Sequence, residues 1–297
     1  MQDQPAFEQM AAILEASGDF KILRRLVPRP ISTASLNPAD RVGVILDVET
    51  TGLDHRVDEI IEVGMVRFSY SQADVATGVT GTFQAFREPS VPISAEITSL
   101  TGITNEMVAG QRIEEAAVED FVRDANVVIA HNAGFDRKFA ERLWPILSQK
   151  PWACSFIEID WRKHRFAGAN LAYLLAGCGL FHDAHRAVDD CHAVLEILAK
   201  PLPATPSAAL AALLARARKR SFRVWAENSP FDLKHVLKKR GYRWSDGSDG
   251  SPRSWYIDVA EDEHMAEIEF LQTEIYQREV EVRSQSVTAL ERFSARI

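Results

Sequence analysis

Apolar positions along this chain recur with two different periods, and the change from one to the other marks its organisation. Over residues 6–17, Phe7, Met10, Ala11 and Leu14 fall at helical spacing, and Gly18 ends the run. From Val42 the period shortens to that of strands. Residues 42–48, 59–70 and 80–87 predict three of them, with Ile61, Val63 and Met65 on one face of the second, and turn formers Gly52, Asp54, Gly78 and Gly81 between them. Helical patterns follow at residues 94–100 and 113–125, then a short apolar strand at 127–130 and a helix carrying Phe135, Phe139 and Leu143 on one face. A fifth strand near 153–155 and helices over 170–176 and 186–199 complete the series, the last with its stripe at Val188, Cys191, Leu195 and Leu198. Three meandering strands followed by helix-strand alternation predict an α/β domain, a mixed β-sheet flanked by helices, over residues 41–200, with residues 1–40 as an N-terminal extension packed on it.

The proline-rich stretch at 200–206 reads as a domain boundary. Residues 201–220 form a linker and basic helix, with Thr205 as its cap and Pro206 at its first position. Residues 221–297 predict a smaller, basic, tryptophan-rich α+β domain with an acidic, partly helical tail from residue 261. Its elements are a strand over 222–226, a helix over 231–240 and a hairpin. The helix has Ser229 as N-cap, Asp232 as capping acid and Gly241 as stop; the hairpin pairs Tyr242, Arg243 and Trp244 with residues 255–259.

Composition narrows the class. Apolar residues make up 46% and charged residues 26% of 297, which is ordinary globular usage. Cys154, Cys178 and Cys191 are odd in number and widely spaced, which argues for a reducing compartment and against a zinc site or disulfide framework. With no basic-then-apolar leader pattern and no apolar run of about 20 residues, the expectation is a cytoplasmic protein without a membrane partner. The net charge of −8 is uneven: residues 203–258 hold eleven Lys/Arg against five acids, a net of +6, so the remainder carries −14. That asymmetry fits an acidic catalytic core beside a polyanion-binding surface, or a solvated face. Three of the six tryptophans, Trp225, Trp244 and Trp255, lie in this basic part. Bases stack on such rings, but strand alternation favours a core role for them in so small a domain. The candidate nucleic-acid grip is instead Arg216, Arg218, Lys219, Arg220, Lys234, Lys238 and Lys239.

The chemistry centres on Asp47-Val48-Glu49-Thr50-Thr51-Gly52-Leu53 at the end of the first domain strand. Strand alternation puts Asp47 and Glu49 on one face, about 7 Å apart along the backbone. Two such carboxylates must be solvated, share a proton or hold a cation. Asp136 opens a helix after His131-Asn132, and His185 stands five residues before Asp190 at the start of the domain's last helix. Asn132 either orients a substrate or, as we favour, caps the helix after it. Gly52 serves either close approach of a substrate or a tight turn.

Asp47, Glu49, Asp136 and Asp190 with His185, together with Asp58-Glu59-Ile60-Ile61-Glu62-Val63-Gly64 and Leu100-Thr101-Gly102-Ile103-Thr104, resemble the DEDDh-type 3'-5' exonucleases. This is the superfamily of polymerase proofreading subunits and ribonuclease T. Arg186 stands where its tyrosine branch would have Tyr, which favours the histidine branch. The resemblance covers roughly residues 42–199 and implies a ribonuclease H-like fold. It implies two Mg2+ or Mn2+ ions, which suit an oxygen-only ligand set, held by Asp47, Glu49, Asp136 and Asp190, with Asp47 bridging and His185 as general base. It further implies that Thr50, Thr51, Gly52, Leu53, Leu100 and Thr101 approach the terminal nucleotide, and that nucleoside 5'-monophosphates leave a single-stranded 3' end of DNA and/or RNA. The alternative is a polymerase-associated proofreading or scaffold subunit that uses the fold mainly for binding, with a polymerase or other protein partner at its C-terminal region.

Overall fold

The computed structural model describes residues 4–32, 37–248 and 250–297. Helix α1 (Gln4–Ser17) and strand β1 (Arg24–Arg25) precede three long strands, β2 (Arg41–Thr50), β3 (Ile60–Tyr70) and β4 (Ala76–Phe86). Next come α2 (Ala95–Thr101), α3 (Asn105–Val108), α4 (Glu115–Val122), β5 (Val127–Ala130), α5 (Ala133–Leu143) and β6 (Trp152–Cys154). Then follow α6 (Leu171–Gly177), β7 (Leu180–Phe181), α7 (Ala187–Ala199) and α8 (Ala209–Ala217). The C-terminal elements are β8 (Ser221–Ala226), α9 (Lys234–Arg240), β9 (Arg243–Trp244), β10 (Trp255–Ala260), α10 (His264–Phe270) and β11 (Ser284–Val287). Among the described residues no helix is long and apolar enough to cross a membrane.

The central sheet has the order β4-β3-β2-β5-β6, antiparallel through β4-β3-β2 and parallel through β2-β5-β6. It is the mixed, helix-flanked sheet expected of a ribonuclease H-like α/β fold. Both faces are covered, so β3 is buried along nearly its whole length and reads as a continuous apolar run rather than an alternation. Ile45, Val66 and Phe68 pack on one face with α6, α7 and α8, while Val44, Leu46 and Val63 pack on the other with α4 and α5. Gly64 permits the closest approach. A Cβ there would stand 2.2 Å from the backbone nitrogen of Val188 and 2.3 Å from the carbonyl carbon of Ala187, so the first turn of α7 lies directly on β3.

The N-terminal extension attaches by pairing and by charge. β1 pairs in parallel with β7, Ile31 bridges Val79, and Arg29 ion-pairs with Glu196 at 2.9 Å. Its helix is held by Arg24 to Glu8 and Glu15, while Phe7, Met10 and Ile13 are exposed rather than packed.

Residues 221–297 build a four-stranded sheet of order β11-β8-β10-β9. One face, with Val224, Ala226, Ile257 and Val259, is covered by Leu237 of α9 and by Leu271 and Ile275 after α10. The segment after residue 261 is thus no simple helical tail. It supplies β11, and the chain beyond it docks on the catalytic unit. Arg137, fully buried on α5, donates to the carbonyls of Ala289, Leu290 and Arg292 at 3.1, 2.6 and 2.5 Å and pairs with Glu141. Arg292 in turn pairs with Glu158 and donates to the Lys219 carbonyl at 2.7 Å. Buried guanidiniums with this many acceptors fix the two units in one orientation.

Several local expectations need correction. Helix α8 begins at Ala209 with Ala208 at the cap, so Thr205 and Pro206 precede it in a bend. The helix after Pro230 opens as a 3-10 turn at Phe231–Leu233 with no side-chain cap, so Ser229 and Asp232 do not form the expected capping box, although Gly241 ends it in the left-handed region. Trp244, expected in the core face, is 51% exposed because β9 is a two-residue edge strand. Trp225 is buried, but on the sheet face opposite that core; only Trp255 packs against it. Asp249, in the hairpin loop, lies outside the described residues.

Candidate active site

Strand β2 ends in Asp47, Val48, Glu49 and Thr50, and a register shift between Glu49 and Thr50 closes its pairing with β3. Asp47 and Glu49 point toward α7, whose first turn carries Asp190. Because β3 lets α7 approach at Gly64, directly opposite Asp47 in the ladder, one carboxylate oxygen from each of Asp47, Glu49 and Asp190 lies within 4.8 Å of the others. Asp136 enters from the first turn of α5 and accepts a hydrogen bond from the Val48 backbone at 3.2 Å. It is buried, and it stands outside that closest trio.

The electrostatics follow from packing acids together. Burial, then Asp136, Asp190 and Glu49, drives Asp47 well above the usual carboxylate range. Burial, then Asp190 and Glu62, raises Glu49 to about 8, and burial raises Asp136 to about 8. Oxygen-only ligands in an under-compensated cluster have the composition of a divalent-cation site.

His185 adopts a positive φ of 67° and donates its backbone N–H to Asp190 at 2.9 Å, which leaves its exposed imidazole at the cleft mouth. The other oxygen of Asp190 is 2.5 Å from Nε2 of His182, a nearly buried side chain that the sequence pattern did not single out. Glu62 is a second unassigned anchor. Fully buried, it accepts from the Ala187 backbone at 3.3 Å and pairs with Arg186 at 3.2 Å, so it caps the start of α7 and holds Asp190 in place. Both partners lie far from it in sequence, and only the motif's internal acid hinted at a role.

A cleft of about 540 Å³ opens over the acids and is lined by Thr50, Gly52, Leu53, Leu100, Thr101 and Asn132 among others. Leu53 is 86% exposed at its rim and Leu100 54%, whereas Thr101 is buried. Thr50 donates to the Gly52 carbonyl at 2.6 Å. Thr51 bonds Asp58 and accepts from the Glu59 backbone, so it ties the loop rather than lining the cleft. Gly52 is required by that loop: a Cβ would meet the Asp58 carboxyl at 2.6 Å, which favours the turn over substrate approach as its reason. Asn132 occupies the cap position of α5 in the left-handed region at φ 83° but makes no side-chain cap bond; the favoured capping role is corrected, and the side chain faces the cleft. His131 bridges Ser155 at 2.9 Å and the Ala169 carbonyl at 2.8 Å, and burial lowers it to about 4, so it is neutral at pH 7 and structural.

The grip candidates are dispersed. Arg218 makes a bidentate pair with Asp74 at 2.6 and 2.7 Å, and Arg220 pairs with Glu261 at 3.0 Å. Lys219 is exposed and gives its carbonyl to Arg292. Lys234 and Lys238 lie over the Phe231 and Trp255 rings on α9, where Lys239 is also exposed. Arg216 lines a cleft between the catalytic unit and the C-terminal sheet.

Residues 44–198, just over half of the chain, match the exonuclease family, and the protein belongs to it. Among proteins it resembles, the PolC-type DNA polymerase III of Thermotoga maritima is 30% identical over 174 residues, covering 53% of this chain and 12% of that polymerase. The PolC-type polymerase of Caldanaerobacter subterraneus is 33% identical over 166 residues, 54% of this chain and 11% of that protein. The chain therefore spans only a small part of the length of these relatives. Among solved structures, exonuclease X in complex with 5'-overhanging duplex DNA is 23% identical over 52% of this chain and 86% of its own, with a TM-score of 0.39. The zinc-bound complex of E. coli exonuclease I with single-stranded DNA is 14% identical over 74% of this chain and 63% of its own, with a TM-score of 0.49.

Proposed function

We propose that the protein removes nucleoside 5'-monophosphates one at a time from a single-stranded 3' end of DNA and/or RNA, in a reaction that depends on two Mg2+ or Mn2+ ions. The observation that carries this reading is the convergence of Asp47, Glu49 and Asp190 within 4.8 Å at the floor of the cleft, with Asp136 beside them. The donor set fits the ions, since the trio offers carboxylate oxygens alone, and burial together with the neighbouring acids raises Asp47 and Glu49. When bound, two such ions supply charge for an in-line displacement at phosphorus. Asp47, Glu49 and Asp190 would hold one ion, Asp47 would also face the second, and Asp136 would support that second site. Thr50, Leu53, Leu100 and Thr101 would seat the terminal nucleotide, while Gly52 and Thr51 keep the loop in shape. His185, free to swing at the cleft mouth, would take the proton of the attacking water. The direct test is hydrolysis of 5'-labelled single-stranded DNA, duplex DNA and RNA with Mg2+ or Mn2+. A one-nucleotide ladder with 5'-monophosphate products supports the reading, and internal cleavage or 3'-phosphate products would sink it.

The two histidines at Asp190 give a sharper comparison. His185→Ala is expected to lower kcat by about 10²–10⁴-fold with little change in KM, as for loss of a general base. His182→Ala acts through Asp190 and is expected to cost about 10–100-fold, with weakened metal affinity. Steady-state kinetics over a metal titration separate these outcomes; the reverse order would move the base to His182.

Metal dependence should also appear in stability. Because Glu49 and Asp136 are raised to about 8 from 4.5 and 3.8, the metal-free folded protein holds more protons than the unfolded chain between about pH 4 and pH 8. Their protonated state supports the fold at low pH, and this support is lost as pH rises through that window. Chelation should therefore lower Tm more at pH 8 than at pH 5.5, and Mn2+ should restore it; a metal-induced shift independent of pH would contradict the carboxylate assignment.

A further inference from the structure

Helix α9 and the edge of the C-terminal sheet share a surface on which rings and cations alternate. Trp244 and Trp255 stand opposite each other in the β9–β10 ladder, so both project from the sheet face that α9 covers. Trp255 is half-buried against the core that includes Leu237 of α9, and Nζ of Lys238 lies 5.7 Å from its ring. Beyond Trp255 that face is uncovered. Trp244, on edge strand β9, is therefore exposed, with its ring edge-to-face on Trp255 at 5.5 Å. One turn before Lys238, Lys234 is its i,i+4 neighbour on the same helix face and places Nζ 3.7 Å over the ring of Phe231, which is 75% exposed. The order along the surface is thus Phe231, Lys234, Lys238, Trp255, Trp244.

The lysines here differ from the arginines around them in having no internal counter-ion. Arg218 pairs with Asp74, Arg220 with Glu261, Arg240 with Glu267 and Arg243 with Asp258. Among the described residues, Lys234, Lys238 and the adjacent exposed Lys239 make no ion pair, and Asp232 is the one acid between residues 231 and 241. Positive charge is left over. A lysine stem lying along a ring is ordinary packing, but packing does not account for the Phe231 and Trp244 rings, which stay in water. An acidic peptide would meet the lysines and offer no planar face to the rings. A single-stranded nucleic acid offers both, a phosphate at each step for the lysines and a base beside it for the rings.

We propose that this α9–β9 surface binds single-stranded nucleic acid, with Phe231 and Trp244 stacking bases and Lys234, Lys238 and Lys239 holding phosphates. It is a second site on the chain, and none of these residues lines the cleft over the carboxylates. Its part is to hold a strand, not to cut it. A strand held there keeps its end close to the cleft between encounters, which favours long substrates over short ones. The choice of nucleic acid as occupant rests on the exonuclease reading, and the surface is tested separately from it.

The full chain, in EDTA to prevent hydrolysis, is titrated into a fluorescein-labelled thymidine single strand of about twelve nucleotides, within the range of known single-strand sites. Trp244→Ala is expected to weaken binding about tenfold, as for loss of one stacked base, and to leave the melting temperature unchanged because the ring is exposed. Trp244→Phe should keep most of the affinity while losing most of the quenching of tryptophan emission that an unlabelled strand produces in the parent. Lys234→Gln and Lys238→Gln together should reduce the slope of log affinity against log salt by about 1.4, at about 0.7 for each single-strand phosphate contacted. Mg2+-dependent hydrolysis of a trinucleotide should be unchanged in all of these variants. Unchanged strand affinity in both Trp244→Ala and the double lysine variant overturns the proposal. So does a polyglutamate that displaces the strand as well as an unlabelled strand of equal charge, which would make the surface a dock for acidic peptides. A parent protein that binds the strand through these residues yet hydrolyses neither strand nor trinucleotide upholds the surface and overturns the exonuclease reading instead.

Discussion

Asp190→Ala is expected to abolish metal-dependent release of nucleoside 5'-monophosphates, a loss of at least about 10³-fold, the scale seen when a preorganised electrostatic contact to the transition state is removed. Asp190 belongs to the trio within 4.8 Å, and its two oxygens contact His182 and the His185 backbone of the loop that leads into α7. The same change should leave the metal-free protein folded, because the repulsion it relieves offsets part of what is lost with the Asp190 contacts to His182 and the His185 backbone. It removes one of the charges that raise Asp47 and Glu49, and mutual repulsion is the only electrostatic relation among these three acids without a cation. The metal-induced rise in Tm should disappear together with activity. Asp47→Asn should be nearly as severe and should cost more than Asp136→Asn, because Asp47 lies inside the trio whereas Asp136 faces the Val48 backbone. Turnover is read on labelled oligonucleotides and stability by thermal melts with and without Mn2+. Full activity in Asp190→Ala, or a greater loss from Asp136→Asn than from Asp47→Asn, would refute the arrangement.

What the sequence made legible was whatever depends on local period. Alternation in residues 42–49 placed Asp47 and Glu49 on one face because a strand has a period of two, and the stripe through Cys191, Leu195 and Leu198 set the buried side of the helix that carries Asp190. Periodicity reports that a face is buried but not what buries it. Glu62 lies 124 residues from Arg186, so its capping of α7 left no local trace. β11, Ser-Gln-Ser-Val, has one buried residue and almost no alternation, yet it completes a sheet because β8 offers an unpaired edge. Trp244 and Trp255 look alike in sequence, and only their places at and inside the sheet edge separate an exposed ring from a core ring. The docking of residues 289–292 on Arg137 also changes how the C-terminal region can be probed. Deleting residues 261–297 would strip α5, the helix bearing Asp136, of a buried partner, so point variants are the cleaner probes.

Gly64→Ala is expected to be the most damaging single-methyl change in the catalytic unit. The added Cβ would lie 2.2 and 2.3 Å from backbone atoms of Val188 and Ala187, and backbone in the first turn of a helix cannot rotate away as a side chain can. Either β3 bows or α7 lifts. Lifting α7 breaks the Glu62 bond to the Ala187 backbone and withdraws Asp190 from Asp47 and Glu49. Overpacking of this kind costs about 1–3 kcal/mol, and displacing a reacting group by 1 Å costs about 10²-fold in rate. Gly43→Ala provides the contrast. Its Cβ would meet the Phe68 ring at 2.5 Å, in the core cluster away from the acids, so it should lower Tm by a comparable amount while turnover per folded molecule stays near that of the parent. Thermal melts combined with kcat normalised to the folded fraction distinguish the two. If Gly64→Ala lost stability but kept parental kcat, α7 would have to carry Asp190 to the acids without resting on β3, and the close approach at Gly64 would be a packing detail rather than the feature that assembles the site.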